Sequence, residues 1–171
     1  MKGKSYCLDT SGLSTPLEHM PEDIHTVLWG RVAKEVEAGK FAVTTEIYEE
    51  LVHLPGSIGI CIKNNKDKMQ LEIKKGTWDW QAYLGHVERM RKTYKSVISE
   101  YNGNRKNTVC LNDLSIVALA KTLGLPVISS EKKLASTQGS TKRQKIPDIC
   151  DLEKVCHISF NEFLRKEGIT N

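Results

Sequence analysis

The chain has no long apolar run, no paired-cysteine metal motif, no internal repeat and no heavy charge of one sign. Each absence removes a class of protein. Its apolar stretches last only a few residues, far short of the ~18–20 needed to span a bilayer as a helix. Met1 to Lys4 runs straight into a strand-like stretch without the apolar core of an export signal, so a cytoplasmic location is expected. The five cysteines, Cys7, Cys61, Cys110, Cys150 and Cys156, are odd in number and scattered, which excludes a structural zinc site and fits a reducing compartment. Cys150 and Cys156-His157 form the one tempting cluster, and buried apolar thiols beside a strand explain it better. Aromatic residues are 6% of the chain, and none is placed as a stacking platform for unpaired bases. Net charge is +4, a balance that permits a nucleic-acid partner without demanding one.

What is present is a single domain over residues 1–171, with 39% hydrophobic and 27% charged residues. That is enough chain to bury a core. Ser5-Tyr6-Cys7-Leu8 reads as a first strand ending at Asp9-Thr10-Ser11-Gly12, followed by a loop. Pro21-Glu22-Asp23 reads as a helix start, with Ile24, Val27, Leu28, Val32 and Val36 on its apolar face and Gly39 beyond its end. Phe41-Ala42-Val43 is a second strand, and Thr45 is placed to cap a helix running through Leu54. Ile58 to Lys66 reads as a short helix and Asn64 to Asp67 as a turn. Between Thr77 and Tyr101 the residues Trp80, Tyr83, Val87, Met90, Tyr94, Val97 and Tyr101 alternate steps of three and four, which predicts one long helix. Another helix begins near Asn112-Asp113, with Ile116, Val117, Ala120 and Leu123 inward and Gly124 as its stop. A third strand follows at Leu125–Ile128 and a fourth at Val155–Ile158, and Ser159 with Glu162 forms a capping box. Short apolar strands alternating with amphipathic helices predict an α/β fold, a mainly parallel sheet of four to five strands covered on both faces.

In such a sheet, chemistry collects beyond the carboxyl ends of the strands. The first strand delivers Asp9 there and the third delivers Glu131; the helix before the third strand starts at Asp113. The helix after the second strand carries Glu46, Glu49 and Glu50. At about 100° per residue, Glu50 lies roughly 65° from the buried direction and Glu46 roughly 105°, with Glu49 nearly opposite. Glu50 is therefore favoured, with Glu46 the other choice. Four gathered carboxylates repel one another unless a cation joins them, and hard oxygen ligands select Mg²⁺ or Mn²⁺. Thr10, Ser11 and Ser129 are placed to orient the carboxylates or a metal-bound water. Each acid taken singly reads equally as a cap or a solubilising surface charge, Asp113 above all. Lys132, Lys133, Lys142, Arg143 and Lys145 flank the acids in a loop, and Arg89, Arg91, Lys92 and Lys95 form a basic stretch on the long helix; both sets suit phosphate contacts.

At these positions the chain resembles the PIN-domain family, and a bacterial branch of it in particular. The matching segments, in order, are Tyr6–Ser11, Val43–Leu51, Asn112–Ala118 and Val127–Glu131, with Lys145-Ile146-Pro147-Asp148-Ile149-Cys150 pointing to the branch. The resemblance implies a three-layer α/β/α fold and a metal-dependent endoribonuclease in which Asp9, Glu50, Asp113 and Glu131 are catalytic and bind Mg²⁺ or Mn²⁺. It also implies the toxin of a bacterial toxin–antitoxin pair, homodimeric and held by an antitoxin protein. Ser129 matches the family's Ser or Thr before the last acid. Ser11 stands where the family often has Asn, and Glu131 where it more often has Asp. Those two departures leave a second expectation, a catalytically weak or inactive PIN-like module that binds RNA or a protein partner. A phosphorylation receiver, which needs an acidic pair at the first strand, is a distant third.

Overall fold

The computed structural model describes residues 3–106, 108–134 and 143–169. Four strands, β1 (Tyr6–Leu8), β2 (Phe41–Ala42), β3 (Val127–Ile128) and β4 (His157–Ile158), form one sheet in the order β2-β1-β3-β4. Every pairing is parallel, with Cys7 opposite Ala42 and Val127, and Val127 opposite His157. All three residues of β1 are buried, as expected of a parallel strand covered on both faces. The chain moves from β1 outward to β2 and later returns to the other side at β3. The gap between β1 and β3 is therefore the point where strand order reverses, the favoured place for a site in this topology.

Among the described residues nine α-helices surround the sheet: α1 (Ser11–His19), α2 (Thr26–Glu37), α3 (Thr45–Leu51), α4 (Gly56–Asn64), α5 (Lys66–Met69), α6 (Trp80–Thr93), α7 (Leu111–Leu123), α8 (Ile146–Glu153) and α9 (Phe160–Lys166). The arrangement is a three-layer α/β/α fold. Helix α7 packs on β1 and β3, and α6 lies against α7. Because α7 is sandwiched, Leu114 through Ala120 are all buried rather than only one stripe. Phe163 of α9 packs on Tyr6 and Phe41 with ring centroids 5.4 Å apart in each case, and Trp29 of α2 stacks on Phe160 at 5.7 Å. Among the described residues no helix is long and apolar enough to cross a membrane.

Several local expectations are corrected. The segment after Asp9 is helix α1 rather than a loop; Leu13 and Leu17 are buried on it despite Pro16 in its interior. Its start lies so close to β3 that a Cβ on Gly12 would stand 2.8 Å from the Ile128 carbonyl oxygen. Pro21-Glu22-Asp23 do not open a helix. Glu22 instead accepts the Ser57 N–H at 2.8 Å, and α2 starts at Thr26 with Leu28, Trp29, Val32 and Val36 buried. Ile24 and Val27 are 71% and 65% exposed, so neither belongs to the apolar face. Thr44, not Thr45, caps α3, accepting from Ile47 N–H at 3.4 Å, and α3 ends at Leu51, short of Leu54. Of the stretch expected to turn, Asn64 closes α4, Asn65 is the turn, and Lys66 and Asp67 open the short helix α5. The long helix predicted to Tyr101 stops at Thr93 and continues as two 3₁₀ turns, Lys95–Val97 and Ser99–Tyr101. Cys150 is buried as expected, but Cys156 is exposed.

Candidate carboxylate site

The end of β1 places Asp9 in the gap between β1 and β3. Its side chain is buried, with the residue 5% exposed. Ser11 holds it twice, the N–H donating to Asp9 Oδ2 at 3.0 Å and the hydroxyl donating to the same oxygen at 2.5 Å. The Ser11 hydroxyl oxygen also accepts the Ser130 N–H at 3.1 Å, tying the exits of β1 and β3 together. Burial pushes the Asp9 carboxyl up to about 6; the Ser11 hydrogen bonds oppose this, and the negative charges of Glu131 and Glu50 add to it.

Asp113 enters from the first turn of α7. It accepts the Cys110 N–H at 2.7 Å, while its own N–H donates to Cys110 Sγ at 3.3 Å, a capping box with a thiol in the usual hydroxyl position. The capping role weighed for this residue is therefore present. Burial also pushes its carboxyl up, to about 7, countered by the Cys110 donors and reinforced by Asp9 and Glu131. The charge of Asp9 thus adds to the proton affinity of an aspartate far along the chain.

Glu50 is exposed on α3, yet it is tethered along the edge. Thr10 Oγ1 donates to one carboxylate oxygen at 2.5 Å and Asn112 Nδ2 to the other at 2.8 Å. Glu46 has its influence elsewhere, on Tyr83 of α6. Between the two candidates, the geometry brings Glu50 to the other acids. Glu131 is turned toward α8, accepting from Lys145 Nζ at 2.7 Å and from the Ile146 N–H at 2.8 Å. Ser129 is fully buried behind it; its Oγ accepts the Glu131 N–H at 3.4 Å and lies 2.8 Å from His157 Nε2.

The acids therefore share one electrostatic field, but each is satisfied by protein donors. Among the described residues no three His, Cys, Asp or Glu side chains form a ready group for a metal ion. The chemistry of the set still fits a hard cation: the four acids bring oxygen donors alone, two of them with proton affinity raised by burial and, to a lesser degree, by neighbouring negative charge. The neighbours that sequence reasoning did not single out are Asn112, Cys110 and His157. His157 opens β4 beside β3, in register with Val127, and no local pattern in the sequence marks it as a partner of Ser129.

The basic residues divide. Lys132 and Arg143 are exposed, Lys133 pairs with Asp151, and Lys145 is paired with Glu131; Lys142 lies outside the described residues. On α6, Arg89 is taken up by the buried Glu153, Arg91 and Lys92 pair with Glu88, and Arg91 also donates to Tyr101. The basic stretch on that helix is largely neutralised by its neighbours.

A family model described as a domain of unknown function (DUF4411) matches residues 6–171, and the chain belongs to that family. The match takes in all four acids. No curated protein matches the chain.

Proposed function

We propose that this chain is a divalent-metal-dependent endoribonuclease whose site is the edge formed by Asp9, Glu50, Asp113 and Glu131. The observation that carries the reading is the influence of the buried Asp9, from β1, on the half-buried Asp113 carboxyl of α7 at the point where strand order reverses. The ordered resemblance to PIN domains supplies the reaction class. Asp9 and Asp113, with Glu50 and Glu131 at the flanks, would hold Mg²⁺ or Mn²⁺. When bound, such a cation polarises a phosphodiester and lowers the pKa of an attacking water. Asp113, pushed up to about 7, is in the range where a carboxyl takes up and returns a proton at neutral pH. Ser11 fixes the Asp9 carboxylate, Thr10 and Asn112 fix Glu50, and the exposed Lys132 and Arg143 are available to phosphates.

The test is cleavage of a mixed-sequence RNA with Mg²⁺ or Mn²⁺. Asp9→Asn and Asp113→Asn should each abolish it with the fold retained by circular dichroism; full activity in either folded variant overturns the assignment. The role as a cytoplasmic toxin, homodimeric and restrained by an antitoxin, rests on the resemblance alone. Induced expression in a bacterial host should arrest growth, and the Asp9→Asn form should not.

A second reading has its own observation. Glu131 is already neutralised by Lys145, and no three acids stand together as a metal group among the described residues. A PIN-like module that binds RNA or a protein without turnover would look the same. Calorimetric titration with Mn²⁺ separates the two, since the binding module takes up no ion.

A further inference from the structure

At the opposite edge of the sheet, where the strands begin, the fold leaves an open cleft of about 660 Å³. This lies within the range of small-ligand sites. One wall is apolar, built from Tyr6, Leu125, Pro126 and Val155; Lys121, Lys154 and Lys166 stand around it. Glu153 is the acidic residue on the lining, and it is already engaged by Arg89 as well as by Lys121. Part of the positive charge answers the carboxyl ends of α7, α8 and α9, each worth about half a negative charge. The three lysines together with Arg89 exceed what Glu153 and those helix ends neutralise.

Lys154 supplies an independent sign. It ends α8 in the left-handed region, with φ 57° and ψ 39°. Glycine occupies that position without penalty, whereas a side-chain-bearing residue is strained there. Gly124 holds the equivalent place at the end of α7, on the same cleft. A lysine kept in a strained conformation on the rim of a cleft points to a use for its charge. Complementing the helix end does not require it, because Lys154 N–H already caps α8 by bonding to the carbonyls of Cys150 and Asp151.

We propose that this cleft binds a small organic phosphate, its apolar part against Leu125, Pro126 and Val155 and its phosphate facing Lys154 and Lys166. The site is separate from the carboxylate edge and does not depend on the function proposed for it. Calorimetry in EDTA, which keeps divalent metal from bridging phosphate to the acids, compares phenyl phosphate, adenosine 5′-monophosphate, adenosine and inorganic phosphate. The two organic phosphates should bind and adenosine should not, with inorganic phosphate weaker than either. Lys166→Gln and Lys154→Gly should each weaken binding about tenfold, the loss of one charge-assisted contact. Lys154→Gly should at the same time raise the Tm of the free protein by about 2–4 °C as strain is relieved. A raised Tm with affinity intact identifies the lysine as ordinary helix-end chemistry and overturns the proposal. Failure of both organic phosphates to bind at millimolar concentration, or inorganic phosphate binding equally well, overturns it too.

Discussion

Ser11 joins Asp9 to the far side of the sheet gap: its hydroxyl donates to Asp9 Oδ2 at 2.5 Å and accepts from the Ser130 N–H at 3.1 Å. One side chain thus fixes a buried carboxylate and the spacing of β1 and β3 where they leave the sheet. Ser11→Ala removes both bonds. We expect the variant to fold, to lose about 1–2 kcal/mol of stability, and to bind Mn²⁺ about tenfold more weakly, because the Asp9 carboxylate is no longer preorganised. Thermal unfolding and calorimetric titration check the two halves. Unchanged Mn²⁺ affinity places Asp9 outside any metal site.

The same burial sets a pH dependence. The Asp9 carboxyl is raised from its ordinary value near 4 to about 6. Its neutral form is thus the one the folded chain prefers. Metal-free protein gains from this preference at low pH and loses it as pH rises from about 4 through 6, where the buried group must ionise. Asp9→Asn should therefore stabilise the protein at neutral pH in EDTA, by about 1–3 kcal/mol, and leave stability at pH 4 nearly unchanged. Saturating Mn²⁺ should reverse the order of the two proteins. A destabilised Asn variant at neutral pH contradicts the repulsion argued for the carboxylate edge.

The parts of this fold that follow local physics were readable before any coordinates. The helix stop at Gly124, with φ 66°, and the Ser159–Glu162 capping box depend on residues a few positions apart, and both are present. The strand ends at Leu8, Ile128 and Ile158 were readable, although β3 and β4 start two residues later than expected, and the delivery of Asp9 and Glu131 to one edge follows from parallel topology. The placing of Glu50 rather than Glu46 followed from helical angle alone. Helix α1 was not readable, because Gly12, Ser14, Thr15 and Pro16 are poor helix formers; packing of Leu13, Leu17 and the close approach of Gly12 to Ile128 impose it. The apolar face of α2 was misjudged by counting aliphatic residues, when Trp29 with its Nε1–H bonded to Met20 O is what fills the core. Of the stripe from Trp80 onward, Tyr83, Met90, Tyr94 and Val97 are buried, Trp80 and Val87 are half-buried, and Tyr101 is exposed; the 3₁₀ turn after the α-helix repeats every three residues and keeps Val97 on the side of Tyr94. At the site, sequence distance hid the partners. Nothing local announces that Lys145 closes on Glu131 or that Ser129 meets His157.

Glu153 shows how a charged residue can be structural. It is nearly fully buried, and it accepts from both guanidinium nitrogens of Arg89 at 2.9 and 2.5 Å, from Lys121 at 2.8 Å and from Tyr94 at 2.6 Å. Burial by itself would raise its pKa, but these donors hold it down at about 2. Its contribution is complete above the ordinary carboxylate value near 4.5 and is lost as pH falls toward 2. Glu153→Gln leaves two cations facing a neutral group at the junction of α6, α7 and α8. We expect roughly 3–5 kcal/mol of destabilisation at pH 7, shrinking as pH drops from about 4.5 to 2. Denaturant unfolding at several pH values measures it, and a constant difference across that window refutes the ion-network account.

Lys145 decides what Glu131 does. Its ammonium lies 2.7 Å from Glu131 Oε1 at the start of α8, and the Ile146 N–H holds the other oxygen. In this arrangement the lysine supplies the countercharge that a metal ion would supply in a loaded site. Removing it in Lys145→Met leaves Glu131 with one neutral donor and adds an uncompensated negative charge to the field around Asp9 and Asp113. The Mn²⁺ dissociation constant should then fall about three- to tenfold, a gain of about 1 kcal/mol, whereas RNA binding should weaken because a cation beside the acids is lost. Calorimetry with Mn²⁺ and a filter-binding measurement with RNA at two salt concentrations read the two effects separately. Equal Mn²⁺ affinity in the variant and the parent means that Glu131 belongs to the α8 ion pair alone, and the candidate metal centre contracts to Asp9, Asp113 and Glu50.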